Sequence, residues 1–219
     1  NYIVNATVSD SGIGVNTTIF EYRVNASSSW QLICSDFSSP YSCAWDLSSL
    51  DDGTGYEVRA RANDSLNNLG DYDVHTNITI DRTPPQITLQ QPANNTQDTD
   101  GSVTFYYTVN DVLLDIANCS LILNGTVNIT DTTITEGVTQ YFTQNFNYGT
   151  YLWNINCSDE AGNENQSEVR VLVVAPDTEA PIIHLISPAN STISSTPDVT
   201  FSYNVTDELS EITNCSLYI

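Results

Sequence analysis

Val103-Thr-Phe-Tyr-Tyr-Thr-Val109 and Tyr151-Leu-Trp-Asn-Ile-Asn-Cys157 decide the fold class. Both alternate apolar and polar side chains with a period of two, and both are rich in aromatic and β-branched types. That pattern belongs to a strand with one buried face. Turn-forming clusters such as Asp52-Gly-Thr-Gly55 and Asn145-Phe-Asn-Tyr-Gly149 lie between such runs, and no stretch longer than about ten residues keeps helical spacing. The chain therefore reads as all-β.

The same strands recur. Pro85-Gln-Ile-Thr-Leu-Gln-Gln-Pro-Ala-Asn94 aligns with Pro181-Ile-Ile-His-Leu-Ile-Ser-Pro-Ala-Asn190, an offset of 96 residues that continues without a gap. Val103, Phe105, Tyr107, Val109 and Asp111 fall on Val199, Phe201, Tyr203, Val205 and Asp207, and Asn118-Cys-Ser-Leu121 falls on Asn214-Cys-Ser-Leu217. A divergent copy precedes them. In it Asn5–Asp10 corresponds to the second strand, and Tyr56–Asp64 answers to Tyr151–Asp159. About seven short strands in each repeat is the content of an antiparallel β-sandwich. The expected domains are residues 1–82, lacking a first strand, 83–178, complete, and 179–219, the opening strands of a third. The sequence thus reads as a window truncated at both ends. The first strand of copy one is expected from the omitted upstream chain, or from a neighbouring subunit by strand addition.

Asp81-Arg-Thr-Pro-Pro85 and Asp177-Thr-Glu-Ala-Pro181 join the copies. Proline fixes φ and keeps the preceding residue extended, so these joints are expected to space the domains as a rod. The D-x-T-P-P joint, Ser187-Pro-Ala-Asn190 after a first strand, and Asp159-Glu-Ala-Gly-Asn163 after a sixth resemble the tandem immunoglobulin-like repeats of bacterial and archaeal surface proteins. That resemblance implies adhesins, surface-layer proteins, stalks or appendages of carbohydrate enzymes. Copy one departs from it by lacking cysteines at the positions used in copy two.

Composition narrows the compartment. The 219 residues carry 27 acids against 5 bases, a net charge of −22, and every base is arginine. Such a surface repels nucleic acid and anionic membranes and attracts divalent cations. No run approaches the length of a membrane-spanning helix. Cys119 and Cys157, 38 residues apart, are expected on neighbouring antiparallel strands, and Cys34 and Cys43 are near enough to staple a loop. Cys215 repeats Cys119, and its partner would lie beyond the window. Two bridges imply an oxidising compartment; five reduced structural thiols are the alternative.

Asn-x-Ser/Thr acceptors occur at Asn5, Asn16, Asn25, Asn63, Asn77, Asn94, Asn118, Asn124, Asn128, Asn156, Asn165, Asn190, Asn204 and Asn214. Chance placement of the Asn, Ser and Thr present gives about five, so N-linked glycans are expected on an extracellular or cell-surface protein. Asn118 and Asn156 each precede an inward cysteine and are expected to face solvent, as is Asn204 between Tyr203 and Val205. The plainer alternative is that these residue types simply enrich loops.

Acids recur at strand ends and joints: Asp10, Asp64, Asp81, Asp111, Asp159 and Asp177, with Asp115, Glu160, Glu179, Asp207, Glu208 and Glu211 nearby. They offer the oxygen donors that calcium takes, or they merely cap turns. His75 and His184 fall in different copies, and no nucleophile elbow, phosphate loop or zinc motif is present. An enzyme is not expected and no cofactor is required; N-linked glycans are expected, and calcium is the option that the acids leave open. Trp30, Tyr41 and Trp45 would fill the core of copy one or make a carbohydrate-binding face. The expected role is a self-associating filament, stalk or surface-layer subunit of a microbial, archaeal cell. The alternative is an adhesin stalk carrying its binding tip elsewhere.

Overall fold

The structure, a computed structural model, describes residues 2–207 and 209–218. Glu208 falls outside them. The described residues contain strands and turns but no helix, and they group into two units. One holds the residues up to Pro84 together with the loops Asp111–Asp115 and Asp159–Asn163; the other holds the remainder.

The second unit shows the sandwich most completely. Its strands are β7 (Gln86–Gln91), β8 (Thr96–Asp98), β9 (Ser102–Asn110), β10 (Ile116–Leu123), β11 (Thr126–Asp131), β12 (Gln140–Asn145), β13 (Gly149–Asp159), β14 (Glu164–Gln166) and β15 (Arg170–Val174). One sheet has the order β12-β9-β7 and the other β11-β10-β13-β15-β8, with β14 beside β13. The expected seven strands become nine because the first and the last are each broken in two. The first crosses sheets at Pro92, so that β8 runs parallel to β15 while β7 pairs antiparallel with β9. A residue without an N–H suits such a crossing, because no ladder bond is lost there.

The alternation read from the sequence is the burial pattern of the structure. Along β9, Val103, Phe105, Tyr107 and Val109 are buried and their neighbours are not. Trp153, Ile155 and Cys157 come in from β13, Leu121 from β10 and Leu172 from β15. Phe105 meets Trp153 edge-on at 4.8 Å between ring centres, and Tyr107 stacks on Phe142 at 5.7 Å. Burial holds the Tyr107 phenol far above its ordinary ionisation range. At Gly101 φ is +82°, and a Cβ would stand 2.5 Å from the Phe146 carbonyl oxygen. Only glycine tolerates both conditions.

The first unit pairs β1 (Tyr2–Asn5) with β4 (Ser42–Trp45), opposite a sheet of β3 (Gln31–Asp36), β2 (Val15–Arg23), β5 (Gly53–Asp64) and β6 (Asp73–Ile80) in that order. Phe20, Trp45, Tyr56, Val58 and Ile80 form its smaller core. The second strand, expected around Asn5–Asp10, lies instead at Tyr2–Asn5. Past Asn5 the chain keeps a bond from Ala6 N to the Tyr41 carbonyl at 3.1 Å, and the regular strand ends there. Among the described residues β1 has a neighbour on one edge only, whereas β9 has one on each. A cleft of about 710 Å³ opens beside β1, lined by Ile3, Val4, Phe20, Trp45 and Val58 among others.

β16 (Ile182–Ser187) and β17 (Ser202–Thr206) form an antiparallel pair within the second unit. Their side chains stay largely exposed, Tyr203 included, and Val205 is half-buried. The repeat of the Cys119 strand, Asn214–Leu217, is not a strand. An extended segment holds its shape by backbone pairing, and no described strand is paired with this one.

Replacing Trp153 with alanine is expected to lower the stability of the second unit by about 3–5 kcal/mol, the cost of emptying a large aromatic site. Calorimetry of both proteins checks this: the second unit's transition falls while that of the first holds.

Candidate metal centre

The aspartates at strand ends do cap turns. Asp10 accepts the N–H groups of Gly12 and Gly14 at 3.1 and 2.7 Å, and Asp64 those of Leu66 and Asn68 at 2.8 and 2.9 Å. Asp177 accepts from Glu179 N, Asp207 from Leu209 N and Ser210 N, and Asp111 from Leu113 N and Leu114 N. A carboxylate that receives N–H bonds is favoured in its charged form: the Asn68 side-chain amide, with the Asn68 and Leu66 backbone N–H groups, holds Asp64 below the usual carboxylate range, and the Leu209 and Ser210 N–H groups do the same for Asp207. Turn chemistry thus explains the recurrence of these residues.

It does not explain where three of them meet. A carboxylate oxygen from each of Asp81, Asp111 and Asp159 lies within 4.8 Å of the others, all inside the first unit. Asp81 and Asp159 are 8% and 2% exposed, and Asp111 is half-buried. Each uses one oxygen locally: Asp81 takes Thr83 N at 3.1 Å, Asp111 takes Leu113 N at 2.9 Å and Asp159 takes Asn163 N at 2.8 Å. The second oxygen of Asp159 receives Asn163 Nδ2 at 2.8 Å. The second oxygens of Asp81 and Asp111 are buried and accept nothing. Burial, reinforced by the charges of Asp111 and Asp159, pushes the Asp81 carboxyl up from its ordinary value. Asp10, Asp64 and Asp177 do not join the cluster.

No arginine answers it. Arg82, adjacent in sequence to Asp81, binds Asp52 at 2.8 Å and also donates to the Leu47 and Leu50 carbonyls. Arg23 pairs with Glu57, Arg59 with Glu21 and Arg170 with Glu168. Arg59 also lies 4.1 Å from the centre of the Trp30 ring and 3.7 Å from that of Tyr72, and Arg61 lies 4.4 Å from Tyr72. Trp30 is therefore no core residue: it is half-buried beneath guanidinium groups. Trp45 does fill the core, and Tyr41 is half-buried. The sequence carries no signal that would have placed Trp30 opposite Arg23 and Arg59.

Cys34 is joined to Cys43 and Cys119 to Cys157. The second bridge links neighbouring strands of one sheet, β10 and β13. Cys215 is exposed and carries no bridge. None of the fourteen sequon asparagines is buried; Asn63, Asn118 and Asn156 are half-buried and the others exposed. Asn118 and Asn156 are thus less open than alternation implied, and Asn118 Nδ2 donates to Ser158 Oγ at 2.8 Å. His75 and His184 are both exposed.

Residues 39–140 match the bacterial Ig-like domain (group 3) family. The matched stretch is just under half of the chain. The fibronectin(III)-like modules of Clostridium thermocellum CbhA superpose with a TM-score of 0.51 at 18% identity, covering 80% of this chain and 85% of theirs. That likeness shows the fold: an Ig-like, all-β sandwich. Domains of a bacterial ice-binding adhesin align over 79% of this chain and 60% of theirs, with a TM-score of 0.34 at 14% identity. No curated protein matches the sequence.

The Asp52–Arg82 pair yields a pH prediction. The Arg82 hydrogen bond, helped by that of Thr83, holds Asp52 below the usual carboxylate range. A depressed carboxylate contributes stability above its unfolded value of about 3.9 and loses it as pH falls through the folded value. Both side chains are partly exposed, so the contribution is about 1 kcal/mol or less. Arg82→Ala should move the Asp52 resonance titration back up toward the ordinary value and flatten the acid limb of the stability curve.

Proposed function

We propose that this chain is part of a non-enzymatic structural protein of a microbial cell surface, coated with N-linked glycans and assembling with copies of itself into a filament, stalk or layer. The observation that carries this reading is the placement of the sequons: fourteen acceptors in 219 residues, none of them buried. Exposure leaves each acceptor open to glycan transfer, and the excess over the roughly five that chance gives is what the ordinary polarity of asparagine does not explain. The match to a bacterial Ig-like family supports a surface location. The two bridged cysteine pairs suit a compartment that keeps disulfides oxidised. The sequon load favours an archaeal envelope. Ig-like sandwiches are typically non-catalytic, and the acids here repeat with the fold instead of breaking its pattern in one place.

A glycan coat would have physical work to do on this surface. β11 and β17 carry exposed apolar side chains, Val127 and Ile129 on the first and Tyr203 on the second. Asn128 and Asn204 lie beside them. Bulky hydrophilic groups there would block edge-to-edge pairing between chains.

Glycopeptide mass spectrometry of the protein from its native source tests the reading. Modification is expected at most of the eleven exposed acceptors, with lower occupancy at Asn63, Asn118 and Asn156. Unmodified asparagine at nearly every site would overturn the glycan coat.

A further inference from the structure

We propose that Asp81, Asp111 and Asp159 hold a single calcium ion. The argument begins with spacing. Calcium sits about 2.3–2.6 Å from its oxygen ligands, so oxygens on opposite sides of one ion stand up to about 5 Å apart. The three carboxylates present one oxygen each within 4.8 Å of one another. That limit lets all three carboxylates reach one ion.

The second argument is the two buried oxygens without partners. Asp81, one of the three, is more than nine-tenths buried, and its Oδ2 is enclosed with no donor. Asp111 Oδ2 is in the same position. A buried carboxylate oxygen that accepts no bond carries its full desolvation cost, and two further carboxylates nearby increase it. Turn capping leaves this cost standing, because it uses only the opposite oxygens of Asp81 and Asp111. One divalent cation removes both the unmet acceptors and the mutual repulsion.

Ligand chemistry selects the metal. The donors are all carboxylate oxygens, with no sulfur or imidazole, which suits a hard cation and not zinc or copper. Magnesium needs a near-ideal octahedron at about 2.0–2.1 Å and gives up its waters reluctantly, whereas calcium accepts irregular sets completed by carbonyls and water. Asn163 steadies the site: its Nδ2 donates to the Asp81 carbonyl at 3.2 Å and to Asp159 Oδ2 at 2.8 Å. The ion would pin three segments far apart in sequence that are otherwise tied by this amide and by Glu160 N to Asp115 O at 3.0 Å.

The test uses the whole chain, stripped with a chelator and titrated with calcium chloride by calorimetry, with thermal unfolding followed in parallel. One site is expected, with a midpoint rising by about 10 °C or more at calcium a hundredfold above Kd. Asp81→Asn should abolish the rise, yet without metal it should melt no lower than the parent, because it removes one of three repelling charges. That second readout separates lost binding from failed folding. Asp10→Asn and Asp64→Asn, which touch only turn caps, should keep the full response. No heat and no shift up to millimolar calcium would overturn the proposal. So would a calcium response that survives in Asp81→Asn, or an equal rise with magnesium.

Discussion

An extended chain exposes N–H and C=O groups along both edges and turns alternate side chains to opposite faces. Among the described residues this protein has no helix in which to satisfy those groups locally, so each segment keeps its shape through its neighbours. Where a strand is paired on both sides, as β9 is between β7 and β12, its inner row of Val103, Phe105, Tyr107 and Val109 is nearly sealed from water. Where pairing is one-sided or absent, the same sequence pattern gives much less. β1 stops after four residues beside an open cleft. Phe201 and Tyr203, which repeat Phe105 and Tyr107, are 40% and 49% exposed. Identical apolar patterns therefore bury to different depths, and the difference lies in the partners.

Charge is the second constraint. With 27 acids and five arginines, most carboxylates cannot find a cation. The fold answers with backbone N–H groups: turn after turn places an aspartate where one or two amides point at it. That solution is local and repeats with the domain. The arginines are absorbed elsewhere, into ion pairs on the β2–β5 face and into stacking on Trp30 and Tyr72. The cluster at Asp81, Asp111 and Asp159 is what local capping leaves unresolved. There the charges of three separate turns are brought together with neither arginine nor amide for the remaining oxygens of Asp81 and Asp111.

Much of this could be read from the sequence. The strands of the second unit follow from period-two alternation, because burial of one face imposes that period and nothing else in the chain competes with it. The cysteine pairs were readable from spacing, once the strands were placed. The acids were visible as a class, but which would converge was not. Asp10 and Asp111 occupy equivalent places in their copies, yet only Asp111 lies beside Asp81, and sequence position does not report that proximity. Trp30 was missed for a similar reason. Its partners, Arg23 and Arg59, sit on strands brought together only by sheet order, and a tryptophan in a β protein reads as core by default. The strand around Cys215 was over-read, since the repeat transmits a pattern without transmitting the neighbours that stabilise it.

The account rests on paired strands of fixed register and on the proposed maturation outside the cytosol, and one measurement addresses both. Protein from the native source would be alkylated without reduction, digested, and mapped for linked peptides. The account predicts that Cys34 is joined to Cys43 and Cys119 to Cys157, with neither pair open to alkylation. Free, alkylated thiols at these four positions would contradict the compartment, and crossed pairs would contradict the register of the strands that carry them.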